Sequence, residues 1–193
     1  TSINTETESS SLYISNTMDL SSTVALTLSA RGNYTDVTLR DRSGVRPELN
    51  GSHNFSRVNP SLGLTWQASD SHTLYTSYSE SSRAPTPIEL ACNEGVFDLA
   101  VAFAIEAGED PGDVDLECRL PNAFLADPPL DDVIAKSFEL GSRGFIKDIA
   151  YSLGIFHTLN KDDILFQTTG RSTGLFANVD KTRRAGIESS LQG

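Results

Sequence analysis

The densest chemistry in this chain is a run of eight carboxylates, Glu94, Asp98, Glu106, Glu109, Asp110, Asp113, Asp115 and Glu117, with no lysine or arginine among them. Carboxylate oxygens suit hard cations, and Asp110-x-x-Asp113-x-Asp115-x-Glu117 has the ligand type for Ca²⁺. It lacks the Asp-x-Asp-x-Asp-Gly order of a helix-loop-helix calcium site, so the run reads as a solvated acidic surface and no dedicated metal site is expected. Cys92 and Cys118 bracket it. In an oxidising space they are compatible with one disulfide closing a long loop, and in a reducing one with two unrelated thiols.

Catalytic patterns are missing. His53, His72 and His157 lie far apart with no HExxH pair, and no GxxxxGK[ST] phosphate loop occurs. Gly141-Ser142-Arg143-Gly144 lacks the spacing and the strand-to-helix context of a nucleophile elbow. The chain therefore reads as no enzyme, with no resident cofactor. A net charge of -11 also argues against nucleic acid, because phosphate binding draws on clustered Lys and Arg.

The elements that position these residues are strands. Val24, Leu26, Leu28, Ala30 and Tyr34 fall on one face of an extended segment, and Thr27, Ser29, Arg31 and Asn33 on the other. Leu62, Leu64 and Trp66 oppose Ser61, Thr65 and Gln67 in the same way. Leu74 and Tyr78 oppose Tyr75, Ser77 and Ser79. Further on, Ile134, Phe138 and Leu140 oppose Ser137, Glu139 and Arg143, then Tyr151, Leu153 and Ile155 oppose Ser152, Gly154 and Thr158. Ile187 and Leu191 close the series against Gly186, Glu188 and Ser190. The expectation is an all-β chain of about six to eight antiparallel strands, the first a short one at Ser11 to Thr17.

The connections alternate in length. Short turns at Met18 to Ser22, Ser69 to Ser71 and Ile146 to Asp148 alternate with long segments at Asp41 to Phe55, Ser82 to Asp132 and Asp163 to Thr182. Transmembrane β-barrels combine short periplasmic turns with long external loops, so the long segments are expected to face outward. The longest should hold a helix, since Val96, Leu99, Ala100 and Phe103 recur at helical spacing. No run approaches the roughly 18 apolar residues of a membrane helix, which says nothing about strands that need only about 10. A soluble β-sandwich whose cysteines staple a recognition loop, a secreted binding or adhesion module, is the alternative that alternation alone allows.

Several short motifs decide between them. Arg83-Ala84-Pro85 ends one strand, Glu139-Leu140-Gly141-Ser142-Arg143-Gly144 opens the return strand, and Asn160-Lys161-Asp162-Asp163-Ile164 ends the next. Phe176-Ala177-Asn178-Val179 and Arg183-Arg184-Ala185-Gly186-Ile187-Glu188 follow. In this order and spacing they resemble the barrel of TonB-dependent outer-membrane receptors, over most of the chain from Ala30-Arg31-Gly32 onward. The resemblance implies a segment of an antiparallel transmembrane barrel, residues 1 to 193, from a protein with about 22 strands and a plugged lumen. Neither a plug nor an energy-coupling box is recognisable in it.

The resemblance further implies an outer-membrane location and energised uptake of a scarce small molecule such as a ferric siderophore. The implied partners are outer-membrane lipid, the receptor's own plug and, through it, a periplasmic TonB protein. Arg31, Arg83, Glu139, Arg143 and Glu188 all fall on the face away from lipid. Half-buried charges are costly alone, so they are expected to pair with one another or with a plug, as structural wiring or as ligand contacts.

Overall fold

The computed structural model describes residues 3–42, 50–91, 101–102, 104–113, 130–168 and 174–193. Seven strands, β1 (Ile3–Asp19), β2 (Val24–Asp41), β3 (Gly51–Ser69), β4 (His72–Arg83), β5 (Val133–Ile146), β6 (Ile149–Thr168) and β7 (Gly174–Gln192), form one antiparallel sheet in sequence order. Every neighbour in the chain is a neighbour in space, as in an up-and-down wall. A β-sandwich needs a second sheet to cover the apolar face, and among the described residues there is a single sheet. The sandwich alternative is thereby set aside.

Register settles which side chains share a face, because directly paired residues point the same way. Leu62 faces Leu28 and Tyr78, and Tyr78 faces Phe138. Leu64, Thr76, Leu140, Ile155 and Ile187 form the next row, and Trp66, Leu74, Ser142 and Leu153 the one after it. These apolar side chains lie open: Leu64 is 37% exposed, Trp66 48% and Ile187 74%. On β2 the apolar face runs from Val24 to Tyr34, roughly ten residues at about 3.3 Å each. At a tilt near 45° that gives a band about 25 Å tall, the height of a barrel's lipid belt.

The strands are longer than the band. β2 has 18 residues and β6 has 20. Beyond Tyr34 the alternation changes phase: Val37 and Leu39 take the register positions of Arg31 and Asn33, and Val133 those of Ser137 and Glu139. These three, with Leu90, Leu130 and Ile164, make one buried cluster, Val37 at 0% exposure, with Phe55 and Phe176 against it. Strands β3 and β4 separate β2 from β5, so the sheet curls for the two ends of the long loop, at Leu90 and Leu130, to join them. The core of this chain lies on the inner face, above the apolar belt.

The turns match the expected asymmetry at one end. Only Leu20 to Thr23, Asp70 to Ser71 and Lys147 to Asp148 separate the strands there. Lys147 has a φ of 58°, as the favoured primed hairpin turns have at their first central residue. At the other end three expectations need correction. The first strand is not short but extends over Ile3–Asp19, paired along its length with β2. Asp41 to Phe55 is shorter as a connection than expected, since β2 runs through Asp41 and β3 starts at Gly51. Asp163 to Thr182 is no long segment either, because β6 and β7 continue pairing through Thr168 and Gly174. The physical reason is common to them: the strands continue past the apolar face without keeping an apolar side outward, so its alternation ends before the pairing does.

The long loop begins with a short helix, α1 (Pro87–Ala91), and contains helical residues at 101–102 and 104–107. Gly108, at a φ of 75°, ends the latter, its N–H donating to Ile105 O at 3.1 Å while Glu109 N–H reaches Ala104 O at 2.9 Å. Of the four residues whose spacing suggested a helix, Val96, Leu99, Ala100 and Phe103 all lie outside the described residues.

Candidate functional site

The inner face carries three polar constellations. The first sits where β4 meets the loop. Thr86-Pro87-Ile88-Glu89 is a capping box, with Pro at the first helical position. Thr86 donates through its N–H at 2.7 Å and its hydroxyl at 2.9 Å to Glu89 Oε2, and Glu89 N–H donates to Thr86 Oγ1 at 3.4 Å. Arg83 closes the arrangement with both guanidinium nitrogens, Nη1 to Oε2 at 2.8 Å and Nη2 to Oε1 at 3.1 Å. Burial pushes the Glu89 carboxyl upward, but Arg83 and the two Thr86 donors outweigh it and hold the group below the usual carboxylate range. The clamp fixes the direction in which the loop leaves β4, next to Leu90 in the buried cluster.

The second constellation is built around Tyr75, a residue the sequence offered no reason to single out. Its ladder row runs Tyr75, Gly141, Gly154, Glu188 across four strands. The phenol lies flat over Gly141, where an added Cβ would come within 2.3 Å of Tyr75 Cζ. From there the hydroxyl donates to Glu139 Oε1 at 3.1 Å, and the Arg143 guanidinium stands 5.9 Å over the ring centroid. Glycine is what lets an aromatic ring bridge the strands. Glu139, Glu188, Tyr75 and Ser152 together line an open hollow of about 460 Å³.

The third is wider. A hollow of about 880 Å³ is lined by Tyr13, Arg31, Asn33, Arg57, Asn59 and a row of serines, and past the end of the β3–β4 ladder it is closed by Glu80 and Ser82, which take the outward register positions on β4. Arg31 donates to Ser11 Oγ and Asn33 Oδ1, both at 2.9 Å. Where the β3–β4 ladder stops at Ser61 and Ser79, Arg57 reaches Glu80 at 3.2 Å and Asn59 donates to Ser82 Oγ at 3.0 Å. Arg57 Nε and Asn59 Oδ1 nevertheless remain buried without a partner. Buried polar atoms are rarely left so, and each such case calls for a group to complete it.

The five charged residues singled out from the sequence thus share the face opposite the apolar belt in register terms. The structure brings Glu139, Arg143 and Glu188 to one place around Tyr75. It keeps Arg31 apart, over β1 to β3, and Arg83 apart, at the loop base. Among the described residues no ion pair joins any two of the five, and the carboxylate that Arg83 binds is Glu89. Cys92 and Cys118 lie outside the described residues, as do Glu94, Asp98, Asp115 and Glu117 of the acidic run.

A single tilted wall with an apolar belt outside, charges inside, short turns at one end and a tall loop end at the other defines an outer-membrane type of β-barrel segment. A family model described as TonB dependent receptor-like, beta-barrel, matches residues 1–193, and the chain belongs to that family, one of transporters and receptors. No curated protein matches the sequence. Among solved structures, the chain is similar to the copper transporter OprC, at a TM-score of 0.71 and 14% identity over 95% of this chain and 25% of that one. It is also similar to the hemophore receptor HasR of Serratia marcescens, solved with its hemophore HasA and heme (0.67, 14%, 96% and 31%). The ferric yersiniabactin uptake receptor FyuA of Yersinia pestis is a third (0.64, 17%, 98% and 24%). The chain spans about a quarter to a third of the length of these proteins.

Proposed function

We propose that this chain is part of the wall of an outer-membrane receptor that takes up a metal chelate, a ferric siderophore or a similar complex, through energy supplied by a periplasmic TonB protein. The observation that carries the reading is the incomplete inner face. Arg57 Nε and Asn59 Oδ1 are buried and unpartnered beside an open hollow, and a lumen filled by a plug would supply the missing groups. Glu139, held by Tyr75, and Glu188, which lines the same hollow, fit the same role as anchor points for cationic side chains of a plug. Arg31, Arg83 and Arg143 complete the polar lining, Arg83 by holding the loop base. Substrate choice then rests with the loops at the tall end, where recognition residues tend to sit.

Support for a metal chelate comes from the similar proteins, whose names speak of copper, heme and ferric yersiniabactin. The test uses the full-length protein that carries this segment. Cells that express it are offered ferric siderophores of several chelate classes, heme, cobalamin and oligosaccharides, with and without a functional TonB protein. Uptake of one metal complex that vanishes without TonB supports the reading. Uptake of an oligosaccharide alone would replace the ligand, and uptake independent of TonB would overturn the mechanism.

A further inference from the structure

Just above the apolar belt, on the same outward face, β5 to β7 gather positive charge in a chain whose net charge is -11. Lys161 faces Lys181 directly across the ladder, and the adjoining row holds Lys136, Leu159 and Arg183. Like charges placed directly opposite destabilise a sheet unless something else compensates them. Among the described residues only Lys136 has an ion-pair partner here, Glu80 at 3.4 Å, and Glu80 is shared with Arg57 and Tyr78. The nearby acids do not serve the other three. Asp180 takes the opposite face of β7 by register, and Asp163 accepts from Asn160 and Thr182. Lys161, Lys181 and Arg183 are exposed.

Their height gives the patch a meaning. On the turn side of the patch the same face carries Phe138, His157 and Ala185 in the next row and Leu140, Ile155 and Ile187 in the one after it, so the cations stand at the loop-side edge of the apolar surface of β5 to β7. We infer that Lys161, Lys181 and Arg183, flanked by Lys136, bind the phosphate groups of a lipid in the leaflet at the loop end. Cations beside an apolar surface are a lipid-phosphate site in chemical terms: the acyl chains cover Ile155 and Ile187, and the phosphates neutralise the lysine pair. Leu159, between Lys136 and Arg183, adds apolar surface at the seam.

This inference rests on the outer-membrane reading above, and the experiment separates the two. The full-length protein, purified in mild detergent, is titrated with bis-phosphorylated lipid A and with its dephosphorylated counterpart, with binding followed by native mass spectrometry. A variant carrying Lys161→Gln, Lys181→Gln and Arg183→Gln is compared with Arg184→Gln, which removes a cation from the opposite face of β7. At about fivefold for each surface cation, the triple variant should bind the phosphorylated lipid on the order of a hundredfold more weakly. Arg184→Gln should bind as the parent does, as should Lys161→Arg with Lys181→Arg, which shows that the fold is intact. Equal binding of both lipids by the parent, or unchanged binding by the triple variant, overturns the inference. Absence of the protein from the outer-membrane fraction would instead overturn the receptor reading.

Discussion

Replacing Leu64 with arginine probes the facing of the sheet more sharply than any other single change. Leu64 lies on the outward face, paired with Leu26 on one side and Thr76 on the other, with Leu140, Ile155 and Ile187 continuing its row. The rows above and below hold Tyr78 with Phe138 and Trp66 with Leu74, so Leu64 sits well inside the belt. An arginine near the midplane of a bilayer costs about 2 to 4 kcal/mol on a barrel's lipid face. That corresponds to roughly a 30-fold to several-hundredfold loss in the folded, inserted fraction. Thr65 is one residue away on the inner face, beside an open hollow of about 470 Å³ shared with Gln67, Thr73 and Arg143. Thr65→Arg should therefore lose far less, and Leu140→Arg should follow Leu64→Arg. The assay is urea-dependent insertion of full-length variants into lipid vesicles, read from the folded band on unheated gels. Equal tolerance of Leu64→Arg and Thr65→Arg would refute the facing.

Gly141→Ala places a methyl where the Tyr75 ring lies, so it should cost about 1 to 3 kcal/mol and break the Tyr75 to Glu139 bond. Combining it with Tyr75→Ala should recover much of that loss, and a strictly additive double mutant would show that the two do not touch. Glu89→Gln should loosen the loop base by about 1 to 2 kcal/mol, seen as faster hydrogen exchange at Leu90, which donates to Thr86 O at 3.0 Å. Because the Glu89 carboxyl is held below its ordinary value of 4.5, its contribution is fully present above that value and disappears as pH falls through the lower folded value. Protection at Leu90, taken relative to its intrinsic exchange rate at each pH, should therefore fall on acidification below about 4.5 in the parent and not in Glu89→Gln; an identical acid response in both would refute the clamp. Cys92 and Cys118 are proposed to form a disulfide enclosing a loop of roughly 25 residues, contributing about 3 to 4 kcal/mol in the chain-entropy description. Thiol labelling of unfolded, non-reduced protein should then find neither cysteine, and two labelled cysteines would end the proposal.

Alternation over Val24 to Tyr34, Leu62 to Trp66 and Ser137 to Arg143 was legible because a wall between lipid and lumen demands one apolar side at every second residue. What escaped was the continuation of the strands. At Val37 and Leu39 the apolar positions move to the inner face to meet Leu90 and Leu130, and a reading that follows one phase stops there. Asp163 opened an expected long segment although β6 runs on to Thr168. The Thr-x-x-Glu spacing at Thr86 to Glu89 is a capping signal that went unread, and only the structure makes Glu89 the partner of Arg83. Tyr75 was not visible, since its role depends on glycines in two other strands, and only register brings Gly141 and Gly154 beneath it. Charge at Glu139, Arg143 and Glu188 could be assigned a face from the sequence, but not a common place.

The claim that most depends on all of this is that one face of the sheet meets lipid and the other a polar lumen. Single cysteines at Ser61, Leu62, Gly63, Leu64, Thr65 and Trp66, introduced in turn into the full-length protein and spin-labelled in outer-membrane vesicles, measure it directly. Relaxation by lipid-dissolved oxygen should alternate with period two, high at positions 62, 64 and 66 and low at 61, 63 and 65. A flat profile, or one in which water-soluble nickel reaches positions 62, 64 and 66 best, would contradict the account.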